Sequence, residues 1–412
     1  METTVNITRS RKAASLALAG ALAITLTACS DDSDNTEETS AEETSAEETT
    51  EEEAQETTED TSEDATEEES EGTTGSSEAP TAIEDLGVSG SLNGSGASSQ
   101  QNAQQAWRDS FSSDYGVTIN YNPTGSGTGR EQFIGGAVSF AGTDSILDEE
   151  EIAAAEQRCG AEILELPLYI SPIAIAYNLP GVDSLNLSPE NIAAIFSGEI
   201  TNWNDDAIVA DNPDVELPDL EIVPVNRADD SGTTENFVQY IIESAGEEAW
   251  PYEAEDVWPI SGTQSAEKTN GVVDLTAQTE GAITYADASQ IGDLGAANVD
   301  VNGEWLSYSP EAAAAIVDGS EATDDATDKI LTVDLKRDGS IEGAYPVVMI
   351  SYIVACTEYE DAQEAANVKG YLTYMASDEG QEFSAQANGG NAPISDELQS
   401  RVFAAIDAIV TE

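Results

Sequence analysis

The sequence predicts an α/β protein with largely parallel sheets. Three observations carry that prediction. Strand-like and helix-like segments alternate, the strand-like ones include long apolar runs, and Gly/Ser/Thr turns lead from strands into helices. Val117-Thr118-Ile119-Asn120-Tyr121 alternates with period two and reads as a strand. Ile163–Tyr177, interrupted by Pro167 and Pro172, and Val347–Ala355 read as buried strands. Ile192, Ile195 and Phe196 fall at i, i+3, i+4, with Pro189 near the start and Gly198 past the end, and read as an amphipathic helix. Phe237, Tyr240 and Ile241 repeat that spacing, as do Val368, Tyr371, Leu372 and Met375. These stripes face a core and carry no chemistry.

Charge narrows the function. The 412 residues hold 82 Asp+Glu against 13 Lys+Arg and no His, a net charge of −69. A nucleic-acid partner is excluded, because counterion release needs a basic face. A His-based triad, a His-ligated zinc and a haem-ligating His are excluded outright. Self-repulsion at this charge disfavours a compact state at low salt. The acidity suits concentrated salt, where the Debye length falls to about 3 Å at 1 M.

The charge is unevenly spread. Arg9, Arg11 and Lys12 precede an uncharged run from Ala13 to Ala28, which reads as a signal peptide over 1–28. Leu26-Thr27-Ala28-Cys29 resembles the lipobox of bacterial lipoproteins, which implies lipidation of Cys29; the alternative is a plain secretory signal with a chance cysteine. Residues 31–80 carry 22 acids, no Lys or Arg and a short repeat at Thr39–Thr49. Such a segment has too little apolar surface to fold, so 29–84 reads as a disordered acidic tether. Its acids lack the loop spacing of a dedicated calcium site. Setting aside those acids and Glu2, the body keeps 59 acids and ten bases, a net of −49. Its length suggests about two domains. No later stretch is long and apolar enough to cross a membrane. Cys159 and Cys356 remain, and in an exported chain they favour a pair.

The informative places are where Gly/Ser/Thr runs open predicted helices. Gly94–Ser99 precedes a helix with Ala103, Trp107 and Phe111 on one face. Thr124–Gly129 precedes the helix carrying Phe133 and Ile134. Arg227–Thr234 precedes the helix with Phe237. A helix N-terminus offers free N–H groups and partial positive charge, glycine permits close approach, and Ser or Thr adds a hydroxyl. Any one loop alone reads more readily as a capped helix after a glycine turn. Neither glycine loop completes a Walker A or dinucleotide motif. Three such loops, one opening with a scarce arginine, suggest an anion site. Arg227 is the basic residue placed for it; Arg130 fits equally a pairing with a surface carboxylate.

These loops, in this order, resemble the phosphate-binding lipoproteins of bacterial ABC phosphate importers. The resemblance runs from about Val88 to Ile409. It includes Gly125-Ser126-Gly127 through Gly136, Phe140–Asp144, Ile195–Asp205, Arg227–Phe237 and Gly281–Tyr285. It implies the type II periplasmic-binding-protein fold, with two lobes joined by two crossing strands. The crossings fall near Tyr169–Tyr177 and Tyr345–Ala355. Lobe one is then 85–170 plus 350–412, and lobe two 171–349. Cys159 and Cys356 then lie in or beside lobe one, consistent with an intralobe disulfide. The resemblance places phosphate ligands at Ser98, Ser99, Ser126, Asp144, Arg227, Ser231, Gly232 and Thr233, with Asp229 pairing Arg227. Ser98-Ser99 stands where the family often has Thr-Phe, so Ser99 donates only through its N–H or its hydroxyl. Asp230 replaces a frequent glycine.

The resemblance thus implies a non-enzymatic receptor for inorganic phosphate, lipid-anchored on the outer face of the cytoplasmic membrane. Its partners are the importer's permease subunits, and no cofactor or metal is implied. The alternatives are a receptor for another tetrahedral oxyanion such as sulfate, a phosphatase-like enzyme, or a structural surface protein. A phosphatase usually needs a metal pair or an activated nucleophile, and a serine here lacks a histidine base.

Overall fold

The computed structural model describes residues 82–388 and 391–411. The signal peptide at 1–28, Cys29 and nearly all of the tether lie outside the described residues. The described chain begins inside the segment assigned to the tether. Ile83–Leu86 forms a short 3-10 turn, and Ile83 is buried beside Val88 over Gly370. An apolar anchor of the body thus precedes residue 85.

The elements run β1 Ser91–Gly96, α1 Gln101–Tyr115, β2 Thr118–Pro123, α2 Ser126–Ile134, β3 Phe140–Thr143, α3 Glu149–Cys159 and β4 Ile163–Tyr177. Next come β5 Asn186–Leu187, α4 Pro189–Ser197, α5 Asp206–Asp211, β6 Val223–Arg227, α6 Gly232–Ala245, β7 Gln264–Ala266, α7 Lys268–Gln278 and β8 Ala282–Asp287. Then β9 Gly295–Ala296, β10 Asn298–Val301, β11 Glu304–Leu306, α8 Pro310–Asp318, β12 Glu321–Ala322 and β13 Val333–Asp334 lead to β14 Val348–Cys356. Helices α9 Ala362–Ala376, α10 Asp378–Asn388 and α11 Asp396–Ile406 complete the chain.

Among the described residues the largest sheet has nine strands, ordered β2-β1-β3-β14-β4-β8-β6-β7 with β9 also on β4. β1 runs parallel to β2 and β3 in one lobe, and β6 parallel to β7 and β8 in the other. The expectation of largely parallel sheets is corrected at the centre, where β14 is antiparallel to β3 and β4, and β4 to β8. β4 carries the chain out of the first lobe and β14 brings it back, so the two crossing strands run in opposite senses. β4 changes partner on the way, pairing with β14 up to Pro172 and with β8 from Ile173. Its prolines sit where a missing N–H is tolerated: Pro167 at a register shift opposite Ser351 and Tyr352, Pro172 at the change of partner.

Local chemistry starts and stops the helices. Asp148 and Glu151 form a capping box on α3, with three acids in its first turn and Arg158 in its last. Ser231, Ser309 and Asp361 cap α6, α8 and α9. Pro189 opens α4 and Gly198 closes it in the left-handed conformation. In the first lobe, Phe111 of α1 meets Tyr371 of α9 edge to face at 5.3 Å. In the second, Phe237 of α6 stacks on Tyr285 of β8 at 4.3 Å. A disulfide joins Cys159 to Cys356, tying the end of α3 to the end of β14. It spans 197 residues of sequence, which the chain-entropy account values at about 5 kcal/mol. No described helix is long and apolar enough to cross a membrane.

Glu165 lies fully buried in β4. One oxygen accepts the Leu147 N–H at 3.0 Å, and the other has no partner among the described residues. Burial pushes its carboxyl from 4.5 up to about 8. The native chain therefore keeps a proton that the unfolded chain releases. The stability from a neutral Glu165 is full below about pH 4.5 and is lost as pH rises through about 8. Urea unfolding between about pH 5 and pH 8 is expected to show stability falling by up to about 1.4 kcal/mol per pH unit from this one proton. Glu165→Gln is expected to remove that slope. Identical slopes in variant and wild type would overturn the assignment.

Candidate anion-binding site

Four loops meet between the lobes. The first lobe supplies Ala97–Gln100 before α1, Gly125-Ser126 opening α2, and Asp144-Ser145 after β3. The second supplies Ala228–Ser231 before α6. Gly96 lets the first three converge. Its φ is +141°, and a Cβ there would lie 2.0 Å from the Gly142 carbonyl oxygen.

Asp144 is buried at the centre of this seam. Ser99 Oγ donates to its Oδ1 at 2.7 Å, Ser351 Oγ donates to the same oxygen, and Thr233 Oγ1 donates to Oδ2 at 2.9 Å. Gln100 Nε2 donates to Ser351 Oγ at 2.6 Å, which leaves the Ser351 O–H for Asp144. A carboxylate offers about four lone-pair positions, so one on Oδ2 stays open. Burial pushes the carboxyl above its ordinary range, while the three hydroxyls and the charge of Arg227 pull it back in part.

The remaining donors sort by what already holds them. Ser126 Oγ accepts the Asp144 N–H at 3.2 Å and keeps its own O–H free to donate. Ser231 Oγ caps α6 by accepting the Thr234 N–H at 3.4 Å and likewise keeps its O–H. Ser98 Oγ is held by Thr269, accepting its N–H at 3.0 Å and sharing a bond with its hydroxyl. The hydroxyls of Ser99 and Thr233 are committed to Asp144. The backbone N–H groups of Ser99, Ser126, Gly232 and Thr233 meet no acceptor among the described residues, as befits groups at helix starts.

Arg227 ends β6 with its side chain buried. Its Nε and Nη2 donate to Asp229 Oδ1 and Oδ2 at 2.8 and 2.6 Å, and no described acceptor takes Nη1. Burial works against an ionised Asp229, but the bonds and charge of Arg227, with the Lys268 N–H, hold its carboxyl below the ordinary range. Behind Arg227 the Tyr285 hydroxyl accepts its backbone N–H at 3.2 Å and bonds Thr234 Oγ1 at 2.8 Å. Burial pushes that phenol up to about 12, so it stays neutral.

Ser98, Ser99, Ser126, Asp144, Arg227, Asp229, Ser231, Gly232 and Thr233 are therefore gathered at one seam. Arg130 is occupied by two carboxylates, Glu151 and Asp256. Sequence reasoning missed Gln100, Asn236, Thr269, Gln290 and Ser351. Asn236 Nδ2 donates across the seam to the Asp144 carbonyl at 2.8 Å and to Gly232 O at 2.9 Å. Gln290 Nε2 donates to the carbonyls of Ser98 and Ser99 at 2.9 and 2.7 Å. Ser351 left a readable signal, a small hydroxyl in a buried, largely apolar strand. Thr269 and Gln290 left none, since their partners lie 171 and 192 residues away from them. Among the described residues no group of three or more Asp, Glu or Cys side chains is placed to hold a metal.

Two crossing strands, a shared sheet and an N–H- and hydroxyl-lined seam define a two-lobed binding protein. Residues 74–379 match the family described as the PBP superfamily domain. Phosphate-binding protein PstS 3 of Mycobacterium tuberculosis (strain ATCC 25618 / H37Rv) is 35% identical over 342 residues, covering 82% of this chain and 90% of that protein. PstS 3 of Mycobacterium leprae (strain TN) is 36% identical over 325 residues, covering 77% and 86%. The chain thus belongs to the PBP superfamily and, within it, to the family of PstS phosphate-binding proteins. A solved periplasmic phosphate-binding protein (PfluDING), bound with phosphate, shares the fold, with a TM-score of 0.62 at 20% identity over 75% of this chain and 92% of its own.

Gly232 offers a direct test of the seam. A Cβ there would lie 2.5 Å from Ser145 N and 2.6 Å from the Asp144 carbonyl carbon, both in the opposite lobe. Alanine suits a helix better than glycine, so Gly232→Ala is expected to leave the unliganded melting temperature essentially unchanged. It should hold the lobes apart and weaken anion binding about tenfold to a hundredfold, the usual scale of overpacking. Calorimetric titration beside a thermal melt reads both. Binding as tight as wild type would show that the bound lobes do not meet here.

Proposed function

We propose that the protein is an extracytoplasmic receptor that captures inorganic phosphate between its lobes and delivers it to the permease subunits of an ABC importer. Membership of the PstS family supports this reading. The observation that carries it is Asp144, a buried carboxylate with one open lone pair beside a ring of donors. Arg227 Nη1, the hydroxyls of Ser126 and Ser231, and the N–H groups of Ser99, Ser126, Gly232 and Thr233 bind phosphate oxygens. The open Oδ2 position of Asp144 accepts the ligand's P–O–H. Ser98 serves differently, holding the first lobe to Thr269 of the second. The moving bodies are 85–170 plus 350–412 and 171–349, hinged on β4 and β14. The protein binds without turnover, since the chain has no histidine to serve as base for a serine nucleophile.

The same geometry decides between oxyanions. Phosphate near neutral pH keeps a P–O–H in both its mono- and dianion, whereas sulfate brings none and meets the carboxylate unpaired. A site with a buried donor–acceptor match rejects the analogue lacking it by about 10⁴–10⁵. Equilibrium dialysis with radiolabelled phosphate and unlabelled sulfate tests the reading. Wild type should keep its phosphate against a large sulfate excess, and Asp144→Asn, able to donate, should lose much of that preference. Sulfate competing at comparable concentration against wild type would remove Asp144 as the filter.

The anchor belongs to the same proposal. Cys29, lipidated as the mature N-terminus, would hold the receptor at the outer face of the cytoplasmic membrane by two acyl chains, where one is marginal. The charged tether would let the body reach the importer. Membrane fractionation should recover wild type in the pellet and Cys29→Ser in the supernatant. A variant that still pellets quantitatively would refute lipidation.

A further inference from the structure

We propose that Arg130 and Asp256 are a positioning pair that ties the lobes shut and sets how long the ligand stays. Phosphate as the probe rests on the function proposed above; the tie itself rests on geometry. Arg130 lies on α2, four residues after Ser126, with only 10% of its side chain exposed. Within its own lobe its Nε donates to Glu151 Oε1 of α3 at 2.7 Å, and its Nη1 to Thr143 Oγ1 at 3.2 Å. Across the cleft its Nη2 donates to Asp256 Oδ2 at 2.9 Å. Asp256 lies in the segment between α6 and β7, and its carbonyl accepts the Ser231 N–H at 2.8 Å.

One guanidinium therefore stands behind both ligand loops. Thr143 Oγ1 braces the turn that carries Asp144, accepting the Ser145 N–H at 3.2 Å and donating to Ser145 O at 2.8 Å. Asp256 braces the residue that caps α6. Neither side chain of the pair bonds the hydroxyls or N–H groups left to the anion, and Asp256 reaches Ser231 only through its backbone carbonyl, so each acts through a neighbour.

The charge balance explains the need for a tie. A body of net −49 opposes its own closure. Three carboxylates face Arg130: Glu151 from α3, Glu235 from α6 and Asp256. Burial raises the Glu235 carboxyl; Arg130 lowers it, and Asp256 and Glu151 raise it further. Opening separates Arg130 from Asp256. Closure restores the cation among the three acids, in a place that salt screens poorly because the guanidinium is nine-tenths buried.

Stopped-flow binding and release of phosphate tests the pair in the full chain. Asp256→Asn and Arg130→Gln should each speed release about tenfold to a hundredfold, the scale of one charge-assisted bond, with association changed less than about threefold. The double variant should release no faster than the faster single one, as coupled partners do. Unchanged release, or two effects that simply multiply, would overturn the tie. Arg130→Gln also strips Glu151, so Asp256→Asn, with its unliganded melting temperature recorded, guards against a folding defect. Fluorophores placed one on each lobe separate this proposal from the phosphate reading. If wild type ignores phosphate but Asp256→Asn still shifts the unliganded inter-lobe distances outward, the ligand assignment fails and the tie stands. If wild type binds phosphate and Asp256→Asn changes neither release nor distance, the tie fails alone.

Discussion

Holding an anion inside a strongly acidic body leaves one physical route, directed donors at contact distance. With 59 acids and ten bases in the body, long-range attraction is unavailable. The seam answers with groups whose field is short-ranged. The starts of α2 and α6 contribute N–H groups and partial charge. Arg227 is already matched by Asp229 through two bonds, which fixes the plane of the guanidinium and leaves Nη1 with no described acceptor. Little is left to reorient when an anion arrives.

The hydroxyls show the same economy. A hydroxyl has one proton, and what it accepts decides where that proton points. Gln100 turns Ser351 toward Asp144, while the Asp144 N–H turns Ser126 away from it. Asp144 becomes the node at which the first lobe, the returning strand and the second lobe meet, through Ser99, Ser351 and Thr233. That convergence requires β14 to lie beside β3, which the antiparallel return of the chain supplies.

Local chemistry determines the features that were legible in the sequence. The period of Val117–Tyr121, the Pro189–Gly198 bracket of α4 and the loops before α1, α2 and α6 all have causes within a few residues. The mixed sense of the central sheet had none, because strand direction at β14 is set by where the chain must return. Arg130 could be read either as a ligand or as half of an ion pair until Asp256, 126 residues away, was placed beside it. Gln290 was invisible for the same reason. Ser99 was the opposite case. Its replacement of an expected aromatic residue was plain in the sequence, and the structure gives its hydroxyl to Asp144, leaving its N–H facing no described acceptor.

The same logic extends to Arg337, fully buried yet in no ion pair among the described residues. Burial lowers its guanidinium only to about 10, so it stays charged at neutral pH. Its Nη1 donates to the carbonyls of Pro346 and Val348 at the entry to β14, at 2.9 and 2.6 Å, and its Nη2 donates to Asn236 Oδ1. A buried charge held only by neutral acceptors is costly to disturb, so this arrangement is stiff. It also settles which way the Asn236 amide faces, since only an oxygen can receive the Arg337 donor. The amide nitrogen must then point at Gly232 O within its own helix and at Asp144 O across the cleft. The first bond travels with the second lobe, and the second exists only when the lobes meet. Asn236 is therefore already turned toward the Asp144 carbonyl, and the crossing strand β14, whose entry carbonyls hold Arg337, also aims the amide that bridges the lobes.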